Sequence, residues 1–252
     1  MVLTILIVLL GPAAGSFAAL VAERSIRGEA IFFDRSRCVD CGVKLRAGDL
    51  VPIVSYLLKN ARCSTCGTPI PPVLIQSEIV GLIMAIAAIA SQPDPLRAGV
   101  MAIWLWSLLA LAVADLRFFR LPDSLVLACA VAGMALALLG DTNDWAQLGA
   151  RFYRLTAGAV VGGGAFMTLR VGYRLLRGRE GMGLGDVKLM AAIGLALGAP
   201  ALAWVGLLAA LSTFILSGLR AVRKGRPLRR LGRVPFGAAL ALAAAATAVA
   251  GL

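Results

Sequence analysis

With no histidine anywhere in its 252 residues, the chain must do any catalysis with Asp, Glu, Cys, Lys, Ser or Tyr, and its cysteines and carboxylates are the ones whose spacing points to chemistry. Imidazole bases, histidine-dependent triads and histidine metal ligands are excluded. Four of the five cysteines form two C-x-x-C pairs, Cys38-Val39-Asp40-Cys41 and Cys63-Ser64-Thr65-Cys66, each followed by a glycine, Gly42 or Gly67. Knuckles spaced about twenty residues apart match a zinc ribbon. Each turn aims two thiolates at one point, the glycine permits the tight backbone, and four sulfurs complete a tetrahedron. A closed four-thiolate site has no open position for water, so the expected zinc is structural. It folds a loop too small to fold alone. Redox-active dithiols or plain reduced cysteines are the alternatives. Cys129 has no partner and reads as a small buried apolar residue.

Two acids stand out by position. Asp115 ends the apolar run Trp104–Ala114 and precedes Leu116-Arg117-Phe118-Phe119-Arg120-Leu121-Pro122-Asp123. Asp186 lies in Gly181-Met182-Gly183-Leu184-Gly185-Asp186-Val187-Lys188. Ionisable residues at a membrane boundary are costly and usually functional. Two carboxylates brought to one membrane depth suit aspartic proteolysis. They share a proton, one activating water and the other protonating the oxyanion and the leaving amine. Gly183 and Gly185 then let a substrate backbone or a neighbouring helix approach Asp186. The plainer alternatives are Asp115 paired with Arg117 or Arg120, Asp186 capping a helix N-terminus, and Lys188 reaching for headgroups. Asp123, behind Pro122, competes with Asp115 for the first catalytic role or caps a helix.

Positioning these residues falls to spanning helices. The chain is 60% hydrophobic and only 15% charged, with a mean hydropathy of +0.88. A spanning helix needs about 20 mainly apolar residues. Apolar stretches at 2–22, 73–91, 97–114, 122–140, 154–173, 187–199, 200–219 and 234–251 predict about eight. The fold class expected is an all-α polytopic membrane protein with a small zinc-ribbon-like loop. The expected organisation is a first transmembrane helix at 1–22, a cysteine-containing cytoplasmic loop domain at 23–72 and a seven-helix transmembrane domain at 73–252. The first segment lacks a basic region before its apolar run, so it reads as a retained helix and not a signal peptide.

The net charge of +12 is topological rather than a nucleic-acid footprint. All 25 Lys and Arg residues but Arg97, Arg151 and Arg154 fall on one side of the predicted helices. The positive-inside rule places those loops in the cytoplasm and both termini outside. Asp115 and Asp186 then both lie at cytoplasmic helix ends. The basic loop around 220–233 is expected against anionic headgroups. A transporter or assembly scaffold with a zinc-stapled loop is the competing reading, but a transporter places its ionisable groups near the bilayer midplane.

Gly15-Ser16-Phe17, the two C-x-x-C knuckles, Asp115 with Leu121-Pro122-Asp123, and Gly183-Leu184-Gly185-Asp186-Val187-Lys188 occur in this order over nearly the whole chain. In this the sequence resembles the type IV prepilin peptidase family, bifunctional leader peptidase/N-methyltransferases with a G-x-G-D aspartyl protease centre. The resemblance implies Asp115 and Asp186 as the catalytic pair, with Gly183, Gly185 and Lys188 supporting. It implies prepilin or pseudopilin substrates cut at the cytoplasmic face of a bacterial inner membrane. It also implies methylation of the new N-terminus with S-adenosylmethionine. The chain departs from the family pattern at Ala18-Ala19-Leu20-Val21-Ala22-Glu23-Arg24 and before Glu78, in the part associated with methyl transfer.

Overall fold

A computed structural model describes residues 1–31, 35–139, 145–224 and 234–252. The chain runs through α1 (Val2–Arg27), a 3-10 turn (Ala47–Leu50), α2 (Val54–Leu58), α3 (Pro72–Ser91) and α4 (Pro95–Phe118). It continues through α5 (Asp123–Leu138), α6 (Trp145–Arg177), α7 (Leu184–Leu197), α8 (Ala199–Lys224) and α9 (Phe236–Ala250). Among the described residues the only non-helical pairing is two isolated bridges, Arg37 with Lys44 and Arg62 with Pro69. Helices α1, α3, α4, α6 and α8 are long and apolar enough to cross a membrane, and α5 and α9 are shorter apolar helices. The protein is an all-α polytopic membrane protein, and the eight expected stretches coincide with α1 and α3 to α9, five of which are long enough to cross a membrane. Basic residues Arg226, Arg229, Arg230 and Arg233 of the expected headgroup-facing loop lie outside the described residues.

Several helices outrun their apolar stretches because polar turns continue them past the hydrocarbon. Helix α1 extends to Arg27, with Glu23 and Arg27 paired one turn apart at 2.6 Å. Gly28 ends it in the left-handed conformation, φ 69°. The half-turned chain beyond is held by Arg24, which donates to the carbonyls of Ala30 and Ile31 at 3.0 and 2.8 Å. Between α7 and α8 the turn is abrupt, as Gly198-Ala199-Pro200 predicts: Gly198 takes φ 79° and α8 starts at the next residue.

Helices in lipid associate by close packing, since the surrounding tails are as apolar as leucine. Helix α1 meets α3 at Gly15, where any Cβ would run into the Ser77 carbonyl. This gives the Gly15-Ser16-Phe17 segment a packing reason. Helix α4 is the hub. It packs on α1, α3, α5 and α9, and Met101, Trp104, Leu105, Leu108 and Leu111 along it are fully buried. Trp106 ties it to α3 by donating to the Gly81 carbonyl at 3.0 Å. A central helix delivers whatever stands at its end into the interior of the bundle, and Asp115 stands there.

Candidate active site

Asp115 occupies the last turn of α4 and is only 6% exposed. The helix stops just beyond it for a local reason. Pro122 disfavours helical backbone at Leu121, and Phe119 closes α4 in the left-handed region at φ 52°, its N–H on the Asp115 carbonyl at 3.0 Å. An aromatic residue there carries strain of order 1–2 kcal/mol. The reversal brings Leu121 beside Gly185 and Gly237 and starts α5 directly after Pro122.

Asp186 is the third residue of α7, in the first turn. Gly183 begins the helix, and its backbone N–H faces the Asp186 carboxylate, half of the arrangement that caps a helix start. The capping alternative therefore describes part of the geometry. Helix α6 braces the preceding loop: Arg170 donates to Glu180 at 2.6 Å and to the Met182 carbonyl at 3.3 Å. Of the two glycines, Gly185 has a steric reason, since a Cβ would come 3.0 Å from that of Leu121. A Cβ at Gly183 would meet only ordinary contacts, Asp186 Oδ2 at 3.5 Å and the Gly185 nitrogen at 3.9 Å. Its open side lines the cleft.

The two carboxylates meet across α9. A Cβ built on Gly237 would stand 3.1 Å from Asp115 Oδ2, 3.1 Å from Asp186 Oδ1 and 2.8 Å from Leu121 Cδ1. The two oxygens therefore lie within about twice 3.1 Å of each other. The next residue, Ala238, donates its backbone N–H to Asp115 Oδ2 at 2.8 Å. Because α9 begins at Phe236, this donor belongs to its first turn, where amides lack intrahelical partners. Phe236 stacks on Phe166 of α6, ring centroids 6.3 Å apart, which fixes the register of that turn. An open cleft of about 1100 Å³ runs past the pair. Phe119, Arg120, Tyr173, Arg179 and Met182 are among its walls.

Neither arginine proposed as an Asp115 partner forms a recorded ion pair with it. Arg117 binds Glu23 at 3.0 Å and lies over the Phe118 ring, and Arg120 lines the cleft. Asp123 is 74% exposed at its side chain and faces Lys188, whose ammonium contacts both carboxylate oxygens at 2.7 and 2.8 Å. Lys188 thus links the start of α5 to the start of α7. Sequence reasoning missed Gly237, Ala238, Phe236 and Arg170. The only signal for the α9 residues is the helix-starting Pro235-Phe236-Gly237, which marks a boundary and says nothing of its neighbours.

The cysteine loop forms two matching knuckles. The Cys38 N–H binds the Val43 carbonyl at 2.9 Å and the Gly42 N–H returns to the Cys38 carbonyl at 3.0 Å. Cys63, Thr68 and Gly67 repeat the pattern with the same two lengths. Gly42 and Gly67 take φ 68° and 72°, the left-handed turn that favours glycine. All four sulfurs lie within 4.8 Å of one another, close enough to hold a metal. Cys38 and Cys66 Sγ are 3.8 Å apart. Tetrahedral thiolates on zinc, about 2.3 Å from the metal, are about 3.8 Å from each other, whereas a disulfide needs about 2.05 Å. The Thr68 hydroxyl, then its N–H, draw the Cys66 thiol down to about 6. Backbone N–H groups of Cys66 and Thr65 lower that of Cys63. Cys129 is buried in α5, away from this cluster.

These features define a polytopic helical membrane protein with a carboxylate pair in a cleft at one end and a four-cysteine cluster on its loop. Comparison with known proteins narrows the class. Residues 9–91 match the Bacterial Peptidase A24 N-terminal domain, and residues 102–219 match the Type IV leader peptidase family. A "Prepilin leader peptidase/N-methyltransferase" of Burkholderia pseudomallei (strain K96243) is 38% identical over 84% of this chain and 66% of its own length. Proteins of the same name from Dichelobacter nodosus and Stutzerimonas stutzeri are each 31% identical. The first match covers 82% of this chain and 68% of the relative, the second 91% and 76%. The chain thus spans about two thirds of the length of the first of these relatives. No solved structure matches the chain. The chain belongs to the type IV leader peptidase family. Within that family a transporter or scaffold is not the favoured reading.

Proposed function

We propose that the protein is an intramembrane aspartyl endopeptidase that removes the leader peptide from prepilins or pseudopilins. The observation that carries this is the convergence of Asp115 and Asp186 on Gly237. Like charges this close share one proton. The ionised partner takes a proton from a water, which attacks the scissile carbonyl. The protonated partner donates to the oxyanion and then to the leaving amine. The Ala238 N–H holds one Asp115 oxygen in place and leaves the other to face water. Gly237, having no side chain, lets both acids approach the start of α9 closely. Gly183 and Gly185 keep the Asp186 side of the cleft unobstructed, and Lys188, through Asp123, holds α5 and α7 in register.

The four cysteines hold a structural zinc in this reading. They would bind it as thiolates, and its chemistry is to cross-link the loop. The relatives' name also carries an N-methyltransferase; in this reading that activity methylates the new N-terminus with S-adenosylmethionine and falls to the part of the chain before residue 92. Its site is inner-membrane and cytoplasmic-facing, with both termini outside, by the bias of arginine and lysine to one side.

The test is incubation of the purified protein in lipid nanodiscs with a tagged prepilin, the products read by mass spectrometry. One cut at the junction between the basic leader and the apolar helix is expected, with one added methyl group when S-adenosylmethionine is supplied. No cut under any lipid or metal condition would overturn the proteolytic reading. A cut without methylation would remove only the second activity.

A further inference from the structure

The cysteine loop carries exposed apolar side chains that metal binding does not use. Leu50, Val51, Val54, Leu57 and Leu58 all lie outward, Leu57 at 65% and Leu58 at 79% exposure. They fall on the 3-10 turn, on α2 and, for Val51, just after the turn, all between the two knuckles. In a water-exposed loop such a cluster calls for a partner.

Its depth identifies the partner. Ile53, at the head of α2, donates its N–H to Glu78 Oε2 at 2.7 Å, and Glu78 is buried in α3. With about 1.5 Å of rise per residue, the 20 residues of α3 span about 30 Å, the thickness of the hydrocarbon core. Pro72 therefore marks the membrane boundary, and Glu78 lies about 9 Å deeper along the helix. The Ile53–Glu78 hydrogen bond ties the head of α2 to the first turns of α3, close to that boundary, which holds α2 at the level of the membrane interface. Glu78 is followed at once by the outward-facing stripe Ile79, Ile83 and Ile86.

The charges fit the same partner. Asp49 and Lys59, on either side of the patch, neutralise each other in an ion pair. The rest of the loop presents exposed Arg35, Arg37, Lys44, Arg46 and Arg62. A short apolar element rimmed by cations matches the boundary between acyl chains and anionic headgroups.

We infer that residues 50–58 form a membrane-interface element: Val54, Leu57 and Leu58 insert into the leaflet on the loop's own side, and the loop's basic residues contact its anionic headgroups. The four-cysteine cluster brackets this element, Cys41 before it and Cys63 after. Metal binding thereby holds the lipid-facing surface in shape. The inference rests on the membrane-spanning fold and is independent of the proteolytic reading.

The test uses the full-length, metal-loaded protein in nanodiscs containing anionic lipid brominated in the upper acyl chain. A fluorescent amino acid replaces Leu58 in one sample, Val54 in a second and Ser64 of the second knuckle in a third. Metal content and prepilin cleavage verify each sample. Quenching several-fold stronger at 58 and 54 than at 64 is expected, falling when zwitterionic lipid replaces the anionic. Weak, equal quenching with water-like emission at all three positions would overturn the inference. So would blue-shifted emission at 58 without lipid quenching, since the patch would then be covered by protein. Quenching indifferent to lipid charge would overturn the headgroup contact.

Discussion

Gly237 has no side chain because Leu121 and two carboxylate oxygens occupy the space one would need. Adding a Cβ there must push Leu121 aside or separate Asp115 from Asp186. Overpacking of this kind costs about 1–3 kcal/mol, so Gly237→Ala is expected to insert and remain folded. The larger effect belongs to catalysis, where a displacement of about 1 Å costs on the order of a hundredfold. Cleavage rate and thermal midpoint, measured on the same preparation, check this. An unimpaired rate would show that the glycine is packing alone. At Lys188 the expectation reverses. Its pair with Asp123 is exposed, and such pairs are worth about 0–1 kcal/mol. Asp123→Asn should leave the thermal midpoint nearly unchanged and retain most cleavage. The exchange Asp123→Lys with Lys188→Asp should retain more activity than Lys188→Asp alone. Both aspartates and the G-x-G-D-x-K run were legible in the sequence because their signal is local: an acid closing an apolar stretch, glycines just before an acid. Gly237 was not legible. Its neighbours Asp115 and Leu121 lie more than a hundred positions away and Asp186 about fifty, and an isolated glycine at a helix start has many ordinary explanations.

At the scale of elements, hydropathy located every long helix but not its ends. Water-facing turns are helical without being apolar, as the Glu23–Arg27 turn of α1 shows. What hydropathy could not convey is that α4 is the hub and that α9 closes the site, since every apolar helix looks alike before packing. The cysteine knuckles were fully legible, because ligand spacing and the following glycine are short-range requirements. Removing one ligand should undo the loop and spare the bundle. Cys63→Ser is expected to abolish stoichiometric metal content and open residues 38–66 to protease, with helical circular dichroism nearly unchanged. Elemental analysis and limited proteolysis check this. A loop equally resistant with and without metal would show that the knuckles need no ion.

The whole molecule gathers the proposed catalytic pair where α4 finishes and α7 and α9 begin. In the proposed orientation, which follows the arginine and lysine bias, that end of the bundle faces the cytoplasm. A single cysteine introduced at Asp94, in the α3–α4 turn, should react with an impermeant thiol reagent in intact cells. One at Arg179, before α7, should react only after the membrane is opened. The reverse pattern would invert the topology and move the site to the other face. The account's central claim is the pairing of Asp115 with Asp186, and prepilin cleavage by matched Asn variants tests it most directly. Asn keeps the size of each side chain and removes its titrating acid. With protein levels equal, Asp115→Asn and Asp186→Asn should each abolish cleavage while Asp123→Asn retains most of it. Cleavage surviving in both Asp115→Asn and Asp186→Asn would contradict the aspartyl mechanism. Loss at 123 with activity kept at 115 would move the first acid out of the cleft described here.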